Sequence, residues 1–303
     1  MVGRMRGLAG AVLALLCLCR PAAAQPEPPP SRFDVPGPAF SGKLPLTGGV
    51  ASLEGAAGGG LTPWALIGGQ GTRDQVGGYG FATFVRSQDY ELRVAGAAVG
   101  LWDRVELSVA RQAFDTRAVG AALGLGRGFT FHQTVLGAKV KLMGDAVLEQ
   151  DRWLPQVAVG LQVKDNDRAG VLRAIGARHD SGVDVYASAT KLLLAQGLLL
   201  NGTVRLTKAN ELGILGFGGV RDRYEPQLEG SAALLLNRRL AVGAEYRMKP
   251  DNLAIVDEDD WADVFVAWAP GRNVTVTLAY ARLGTVAVER GQRGLYLSLQ
   301  LGL

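Results

Sequence analysis

The last ten residues of the chain read GLYLSLQLGL (294–303) and place leucine at every second position. Successive residues of a β-strand point to opposite faces, so a period of two indicates a strand with two different faces. One face here is made of leucine alone, and the other carries Tyr296, Ser298 and Gln300 between glycines. Chain ends usually fray. So regular an alternation at a terminus therefore predicts a strand that is paired on both edges.

The same alternation recurs from about residue 75 onward, for example in QVAVGLQVK (156–164), LAVGAEYRMK (240–249) and NVTVTLAYA (273–281). In each segment one set of alternate residues is apolar, and the other is polar, small or charged. The pattern predicts about twelve strands, over residues 75–86, 91–101, 104–114, 132–143, 154–164, 182–194, 197–208, 227–236, 239–249, 261–269, 273–284 and 294–303.

The connections between these segments alternate between tight turns and mostly longer loops, which is typical of an antiparallel barrel. The glycine-rich stretch 44–74 precedes the first regular segment, so the barrel itself is predicted over 75–303. Two interpretations of this stretch stay open. Short strands near 50–57 and 62–69 would raise the strand number to fourteen, or the stretch forms a plug in the lumen.

The size of the barrel indicates which face meets which solvent. A barrel of about eight strands can be filled by side chains, whereas a dozen strands leave a lumen too wide for leucine and valine to close. The apolar face is therefore predicted to face lipid, which makes the protein an all-β, transmembrane, antiparallel outer-membrane β-barrel. The last strand then pairs with the first, because no open sheet edge survives in hydrocarbon.

The opposite face carries charged residues that share one parity. An outward Arg or Lys near the middle of the membrane costs about 2–4 kcal/mol, so the shared parity indicates that these charged residues face the lumen. The predicted lumen-lining residues are Glu106, Lys139, Lys141, Lys164, Arg205, Glu229, Glu245, Arg247 and Lys249. Their six cations against three carboxylates predict a mild anion preference for any conducting pore.

The N-terminus has the pattern of a secretory signal peptide. Arg4 and Arg6 precede an apolar run from Leu8 to Cys19, and a small-residue site precedes Gln25. The run is too short to span a membrane as a helix. We therefore expect a signal peptide at 1–24, a proline-rich lead-in at 25–43 and a final location in the cell outer membrane.

Removal of this peptide changes the composition. The chain's two cysteines lie within it, so the mature protein has no disulfide, thiol chemistry or cysteine metal site. Loss of three arginines from the peptide leaves 29 Lys+Arg against 28 Asp+Glu. Nucleic-acid binding therefore has no electrostatic support.

Few residues indicate catalysis or a cofactor. His179, Asp180 and Ser181 are consecutive and cannot converge as a triad, and no serine is identified as a partner of His132. GLGRG (124–128) lacks the Lys-Ser/Thr of a phosphate-binding loop. The acidic run 257–260 is a solvated face or a site for divalent cations shared with lipopolysaccharide. We predict no enzyme, no metal and no cofactor.

The chain resembles a family of uncharacterised Gram-negative outer-membrane barrel proteins that is catalogued as a domain of unknown function. The similarity extends over residues 43–303 and rests on EGAAGGGLTPWALIGG (54–69), RVELSVARQAFDT (104–116), GAALGLGRG (120–128), NGTVRLTKAN (201–210) and AVGAEYRMKPDNL (241–253). It implies the location and the fold, and it supplies no catalytic residue.

Three functions are compatible with these observations. The charged lumen favours a passive channel or transporter for small solutes; a structural or assembly protein without conductance is the alternative, and an outer-membrane hydrolase is a third. The expected partners are outer-membrane lipid, lipopolysaccharide and the barrel-insertion machinery, whose recognition signal the terminal strand resembles.

Overall fold

The computed structural model describes residues 42–149, 152–254 and 258–303. The predicted signal peptide and nearly all of the proline-rich lead-in lie outside these residues. Among the described residues, no helix is long and apolar enough to cross a membrane.

Twelve long strands make up most of the described chain. They are β3 (Val76–Arg86), β4 (Glu91–Leu101), β5 (Val105–Asp115), β6 (Thr130–Met143), β7 (Gln156–Asn166), β8 (Ser181–Leu193), β9 (Leu198–Thr207), β10 (Glu225–Asn237), β11 (Leu240–Arg247), β12 (Trp261–Trp268), β13 (Val274–Val286) and β14 (Glu289–Gly302). Two short strands, β1 (Val50–Ala51) and β2 (Ala57–Gly58), precede them. Two short helices, α1 (Arg117–Ala122) and α2 (Ala169–Ala174), and a 3₁₀ turn (Asn210–Gly213) lie in connections.

The twelve long strands form one closed antiparallel barrel, in which each strand pairs with its neighbours in sequence. The ring closes where β14 pairs with β3, from Leu295 opposite Arg86 to Gly302 opposite Tyr79. β1 and β2 form a separate two-stranded sheet, so the alternative of fourteen barrel strands is wrong. The prediction of twelve strands, closed by the terminal segment, is confirmed.

The exposure of side chains follows the predicted alternation. In β14, Leu295 and Leu297 are 67% and 47% exposed, whereas Tyr296 and Ser298 between them are each 2% exposed. The terminal row of leucines therefore faces outward. A closed sheet with an apolar outer face and polar residues inside satisfies its backbone in hydrocarbon and covers its exterior with lipid-compatible side chains. The fold is that of a membrane-spanning β-barrel.

The two ends of the barrel differ in their connections. We call the end with residues 102–104, 144–155, 194–197, 238–239 and 269–273 the turn end, and the opposite end the loop end. At the turn end the Arg104 N–H donates to the Leu101 carbonyl, and both residues between have positive φ, 53° for Trp102 and 48° for Asp103. This geometry is that of a type I′ turn, whose twist suits an antiparallel hairpin.

Tryptophans near the strand ends divide into two groups. Trp102, Trp153 and Trp268 are 58%, 99% and 51% exposed at the turn end, as an interfacial aromatic girdle requires. Trp261 also lies near a strand end but does not belong to this group. Trp261 is 5% exposed because it shares the inward parity of Asp263, and its ring lies 4.8 Å from the Lys249 amine.

Candidate functional site in the barrel lumen

Residues 47–68, which we call the inner segment, are buried almost throughout. The segment bonds to inward-facing side chains on nine of the twelve barrel strands, namely β3, β5, β6, β7, β8, β9, β10, β11 and β14. A segment that reaches so many strands of a closed ring must lie within it. The lumen is therefore occupied by the chain itself.

Most contacts of the inner segment use its backbone. Near the turn end, the Glu106 carboxylate accepts from Ala57 N at 3.0 Å and from Gly68 N at 2.7 Å. The Lys139 amine donates to the carbonyls of Ala57 (2.9 Å) and Trp64 (3.1 Å) and lies 3.1 Å from Glu106. One buried ion pair of the wall thus satisfies backbone donors and acceptors that would otherwise be unpaired.

A second wall carboxylate binds the segment on the other side of the lumen. Glu245 accepts from Leu61 N at 2.8 Å and from the Thr62 hydroxyl at 2.7 Å. The Ser231 hydroxyl also donates to Glu245, at 2.9 Å, and accepts from the Trp64 indole at 2.9 Å. Side chains of the wall therefore fix the position of the loop 61–64.

Close approach explains part of the glycine content. A Cβ atom on Gly59 would lie 1.9 Å from Glu245 Oε1, and one on Gly68 would lie 2.3 Å from the ring of Tyr79. At either position a side chain larger than hydrogen would force the wall residue or the backbone to shift. Glycine at these positions allows the backbone to reach the wall, which gives the unusual glycine density of residues 54–69 a structural reason.

The inner segment contributes one acidic side chain, Glu54, to a buried ion cluster. Its carboxylate lies 2.7 Å from Arg247 Nη1 and 3.3 Å from Arg205 Nη2, and it also pairs with the Lys164 amine. Two wall carboxylates complete the group. We call this the Glu54 cluster; its members are Glu54, Lys164, Asp184, Arg205, Glu229 and Arg247, and each is at most 4% exposed.

Formal charge within the Glu54 cluster is balanced only when the inner segment is present. The wall supplies three cations and two carboxylates, and Glu54 supplies the third carboxylate. Buried charges are tolerated when each has a partner, and removal of one partner from such a group costs about 3–5 kcal/mol. Glu54 therefore joins the segment electrostatically to β7, β9 and β11.

The loop end is closed by the connection 208–224, which folds into the barrel. The Leu212 carbonyl accepts from the Lys164 amine at 3.0 Å and from the Gln133 amide at 3.1 Å. Glu211 and Leu212 have positive φ, 44° and 61°. Such non-glycine conformations cost about 1–3 kcal/mol each and persist when surrounding contacts hold them.

Two carboxylates and one lysine hold this inward loop at the mouth. The Lys249 amine lies 2.9 Å from Glu211 Oε1 and 3.8 Å from Glu258 Oε2. The Glu258 carboxylate also accepts from Glu211 N at 3.0 Å. Burial and the neighbouring Glu211 carboxylate raise the pKa of Glu258 to about 8, because one lysine does not fully offset two acids.

The inner segment and the inward loop meet around a small, mostly apolar cavity of about 40 Å³. Its lining includes Leu53 and Leu61 of the inner segment, Ile214 of the loop, and Phe114 and Tyr296 of the wall. A volume of this size holds water molecules rather than a solute. Among the described residues, the inner segment and the inward loop therefore leave no space for a solute between them.

The nine predicted lumen residues are distributed over these groups. Glu106 and Lys139 form the turn-end pair, Glu245 binds the loop 61–64, and Lys164, Arg205, Glu229 and Arg247 belong to the Glu54 cluster. Lys141 lies at the turn end, where it and Lys43 pair with Asp103. Lys249 follows β11 and lies at the loop-end mouth rather than in the wall.

The lumen of the structure does not have the expected excess of cations over carboxylates. Asp184 and Asp263 are buried on inward positions of β8 and β12, 0% and 6% exposed, and were not among the predicted residues. Glu54 and Asp103 also neutralise lysines and arginines. The alternation within 182–194 and 261–269 could have identified both wall aspartates, whereas nothing in the sequence pointed to Glu54 as a partner of three cations.

The remaining candidates lie at the loop end. His132 Nδ1 is 3.0 Å from Asp167, and His179 Nε2 is 3.0 Å from Asp222. In the acidic run, Asp259 accepts from Thr285. No group of three or more potential metal ligands is present among the described residues.

The chain is similar to one described family and to several solved structures. The family described as "Protein of unknown function (DUF3034)" matches residues 47–300, and no curated protein matches the sequence. Among solved structures, KdgM porin has a TM-score of 0.47 and 9% identity, covering 74% of this chain and 98% of that one. NanC porin has a TM-score of 0.45 and 7% identity, with coverages of 75% and 100%. Outer membrane phospholipase A from Escherichia coli has a TM-score of 0.41 and 10% identity, with coverages of 74% and 92%. These similarities concern general architecture alone.

Proposed function

The chain is an outer-membrane β-barrel of the DUF3034 family, and we propose that it is a passage for small polar solutes that its own inner segment closes. Displacement of residues 47–68 from the lumen opens the passage. The observation that carries this proposal is the polarity of the interface, in which wall side chains bind the segment through ion pairs and hydrogen bonds.

A wall of this kind can be hydrated after the segment leaves. A plug with a purely structural role does not require buried charges, because apolar side chains of similar volume often give equal or greater stability. A wall that must face water in one state and protein in another needs groups that both can satisfy. The inward residues of β5, β7, β9 and β11 meet this need through Glu106, Lys164, Arg205 and Glu245.

The charges of the emptied wall are nearly balanced, so we expect weak ion selectivity in place of a marked anion preference. Oriented charges in a narrow lumen still favour polar solutes over apolar ones. The ionisable groups left on the wall are Lys139, Lys164, Arg205 and Arg247 against Glu106, Asp184, Glu229, Glu245 and Asp263.

A reversible tether tests this function. The hydroxyl oxygens of Thr62 on the inner segment and Ser231 on β10 are 2.6 Å apart. Cysteine sulfur atoms at these two positions would need only a small shift to form a disulfide bond of about 2.05 Å. We expect the double variant Thr62→Cys/Ser231→Cys to conduct in planar bilayers when reduced and to lose conductance when oxidised. The mature chain has no other cysteine to interfere.

A matched control joins two wall strands instead. Thr83 on β3 and Ser298 on β14 have hydroxyls 2.7 Å apart, and Thr83→Cys/Ser298→Cys leaves the inner segment untethered. Oxidation of this control should not change conductance. If oxidation of the first pair has no effect on an observed current, solute does not take the path of the inner segment. Absence of conductance after deletion of residues 44–71 would contradict the passage and favour a structural barrel.

A further inference from the structure

The outer face of the barrel carries an uneven distribution of arginine. Outward positions are mostly apolar, but five neighbouring strands, β13, β14, β3, β4 and β5, each place an exposed arginine there, toward the loop end. These residues are Arg282, Arg293, Arg86, Arg93 and Arg111. On the described outward positions of β6 to β12 there is no arginine. One side of the barrel is therefore basic at this level.

The arginines converge most closely at the hairpin of β13 and β14. Arg282 lies directly opposite Arg293, and beyond this pair the register shifts at Gly284. The irregular hairpin end forms an outward groove of about 670 Å³, which Arg282, Arg290 and Arg293 line together with Tyr280 and Asp259. Three guanidinium groups thus surround one concave surface.

The groove lies directly above the lipid-facing surface. On β13, Tyr280 and Leu278 follow Arg282 toward the turn end and are 48% and 57% exposed. On β14, Leu295 and Leu297 follow Arg293 and are 67% and 47% exposed. The arginines therefore begin where the apolar outer face ends, at the depth where lipid headgroups meet acyl chains.

The chemistry of this groove matches a phosphorylated lipid. Guanidinium groups bind phosphate oxygens through paired, charge-assisted hydrogen bonds, and basic pockets at the membrane surface bind phosphorylated headgroups. The single carboxylate in the lining, Asp259, is engaged by the backbone N–H and the hydroxyl of Thr285, both at 2.7 Å. Arg282 and Arg293 outnumber this one carboxylate, so the groove keeps an excess of positive charge.

We propose that this groove binds the phosphate groups of lipopolysaccharide in the outer leaflet. Arg282 and Arg293 hold the phosphate from adjacent strands, Arg290 closes the site from the hairpin end, and the acyl chains lie along Tyr280 and Leu295. The other arginines of the basic side face the same leaflet. Arg86 and Arg93 both approach Glu91, which makes their side less cationic than the groove.

The test compares matched double variants in nanodiscs that contain lipid A, with binding measured by native mass spectrometry. We expect Arg282→Gln/Arg293→Gln to weaken lipid A binding about tenfold or more, the effect of one lost charge-assisted hydrogen bond. Arg238→Gln/Arg239→Gln removes the same charge from the exposed turn between β10 and β11 at the other end of the barrel. This control should bind as the unchanged protein does.

Two further arms identify the source of the phosphate. Dephosphorylated lipid A should bind the unchanged protein about tenfold or more weakly than lipid A does. This comparison uses no variant, so it holds even if the groove variant folds poorly. Excess inorganic phosphate should not displace lipid A. Equal binding by both double variants, equal binding of the dephosphorylated lipid, or displacement by free phosphate would each overturn the proposal.

Discussion

Two buried carboxylates hold the inner segment in opposite ways. Glu54 belongs to the segment and extends into a wall that offers Lys164, Arg205 and Arg247. Glu245 belongs to the wall and accepts from the backbone and a hydroxyl of residues 61–62. The first contact is an ion cluster, and the second is a set of hydrogen bonds without a cation among its partners.

The difference concerns what remains when the segment departs. Without Glu54, the wall keeps three cations and two carboxylates in a confined lumen. Without residues 61–62, Glu245 keeps the Ser231 hydroxyl and can take water in place of the lost donors. We therefore expect Glu54 to contribute more than Glu245 to the free-energy difference between a filled and an empty lumen, and Glu245 to fix the position of the loop it contacts.

The largest effect is expected for Glu54→Gln. The amide leaves the wall with an uncompensated cation, and breaking a buried charge group of this kind costs about 3–5 kcal/mol. If the filled state loses this much stability relative to the open state, the open probability in planar bilayers rises by about a hundredfold or more. Single-channel recordings of the refolded chain measure it. An open probability like that of the unchanged protein would show that the Glu54 cluster does not hold the segment.

Glu245→Gln is the matched comparison, because it makes the same chemical change at the other carboxylate. The amide oxygen can still accept from the Leu61 N–H, but the amide nitrogen then faces the hydroxyls of Thr62 and Ser231, which lose their acceptor, a loss of about 1–3 kcal/mol. We expect a smaller rise in open probability than Glu54→Gln gives, together with increased hydrogen exchange confined to residues 61–64. If Glu245→Gln opens the barrel more than Glu54→Gln, then Glu245, rather than Glu54, contributes more to holding the inner segment in the lumen.

Gly59→Ala separates sterics from charge at the Glu245 contact. The new methyl would lie 1.9 Å from Glu245 Oε1. Either the buried carboxylate or the backbone must move, which disturbs the contacts of Glu245 at a cost of about 1–3 kcal/mol. Gly48→Ala is the control, because its Cβ meets Gly69 O at 3.3 Å and needs only a small shift. Thermal unfolding followed by heat-modifiable gel migration should show a lower midpoint for Gly59→Ala alone. Equal midpoints would mean that the segment does not need this close approach.

The effect confined to the smallest region, the inward loop alone, concerns a third carboxylate, Glu258, which shares one lysine with Glu211. Its pKa is raised to about 8 from an ordinary value of 4.5. The folded loop therefore holds a proton that the unfolded loop releases, so docking of the loop weakens as pH rises from about 4.5 to about 8 and then levels off. Hydrogen exchange at residues 210–217, corrected for the intrinsic rate, should report this loss of protection.

Glu258→Gln provides the control for this titration. A neutral amide cannot ionise, so protection of the inward loop should become nearly independent of pH in that range. If the slope persists in Glu258→Gln, another group near the mouth titrates, and Glu211 is the first to examine because its pKa is also raised by burial.

Alternation in the sequence predicted the wall well, because lipid on one side and protein on the other constrain every second residue of a strand. It placed the twelve strands, the closing pair and the inward parity of Lys164 and Arg205. The lumen is different, since the inner segment has no period and binds through glycine backbone rather than through a pattern of side chains. Its partners, such as Glu245 for Leu61, are fixed by the closed ring and lie far apart in sequence. Trp261 lies at a strand end yet is buried, because the parity of a strand position decides which face its side chain meets.

The separation between Leu61 and Glu245 has a consequence for how the molecule folds. The two residues lie 184 positions apart, and the docking site of the inner segment also draws on β5, β9 and β10. Those strands must be paired before the site exists, so we expect the segment to enter the ring late in assembly. Until then the interior is filled with water and its charges are solvated. In this order of assembly every newly made molecule would pass through a hollow form, and the proposed open passage would be a return to a state the chain has already visited.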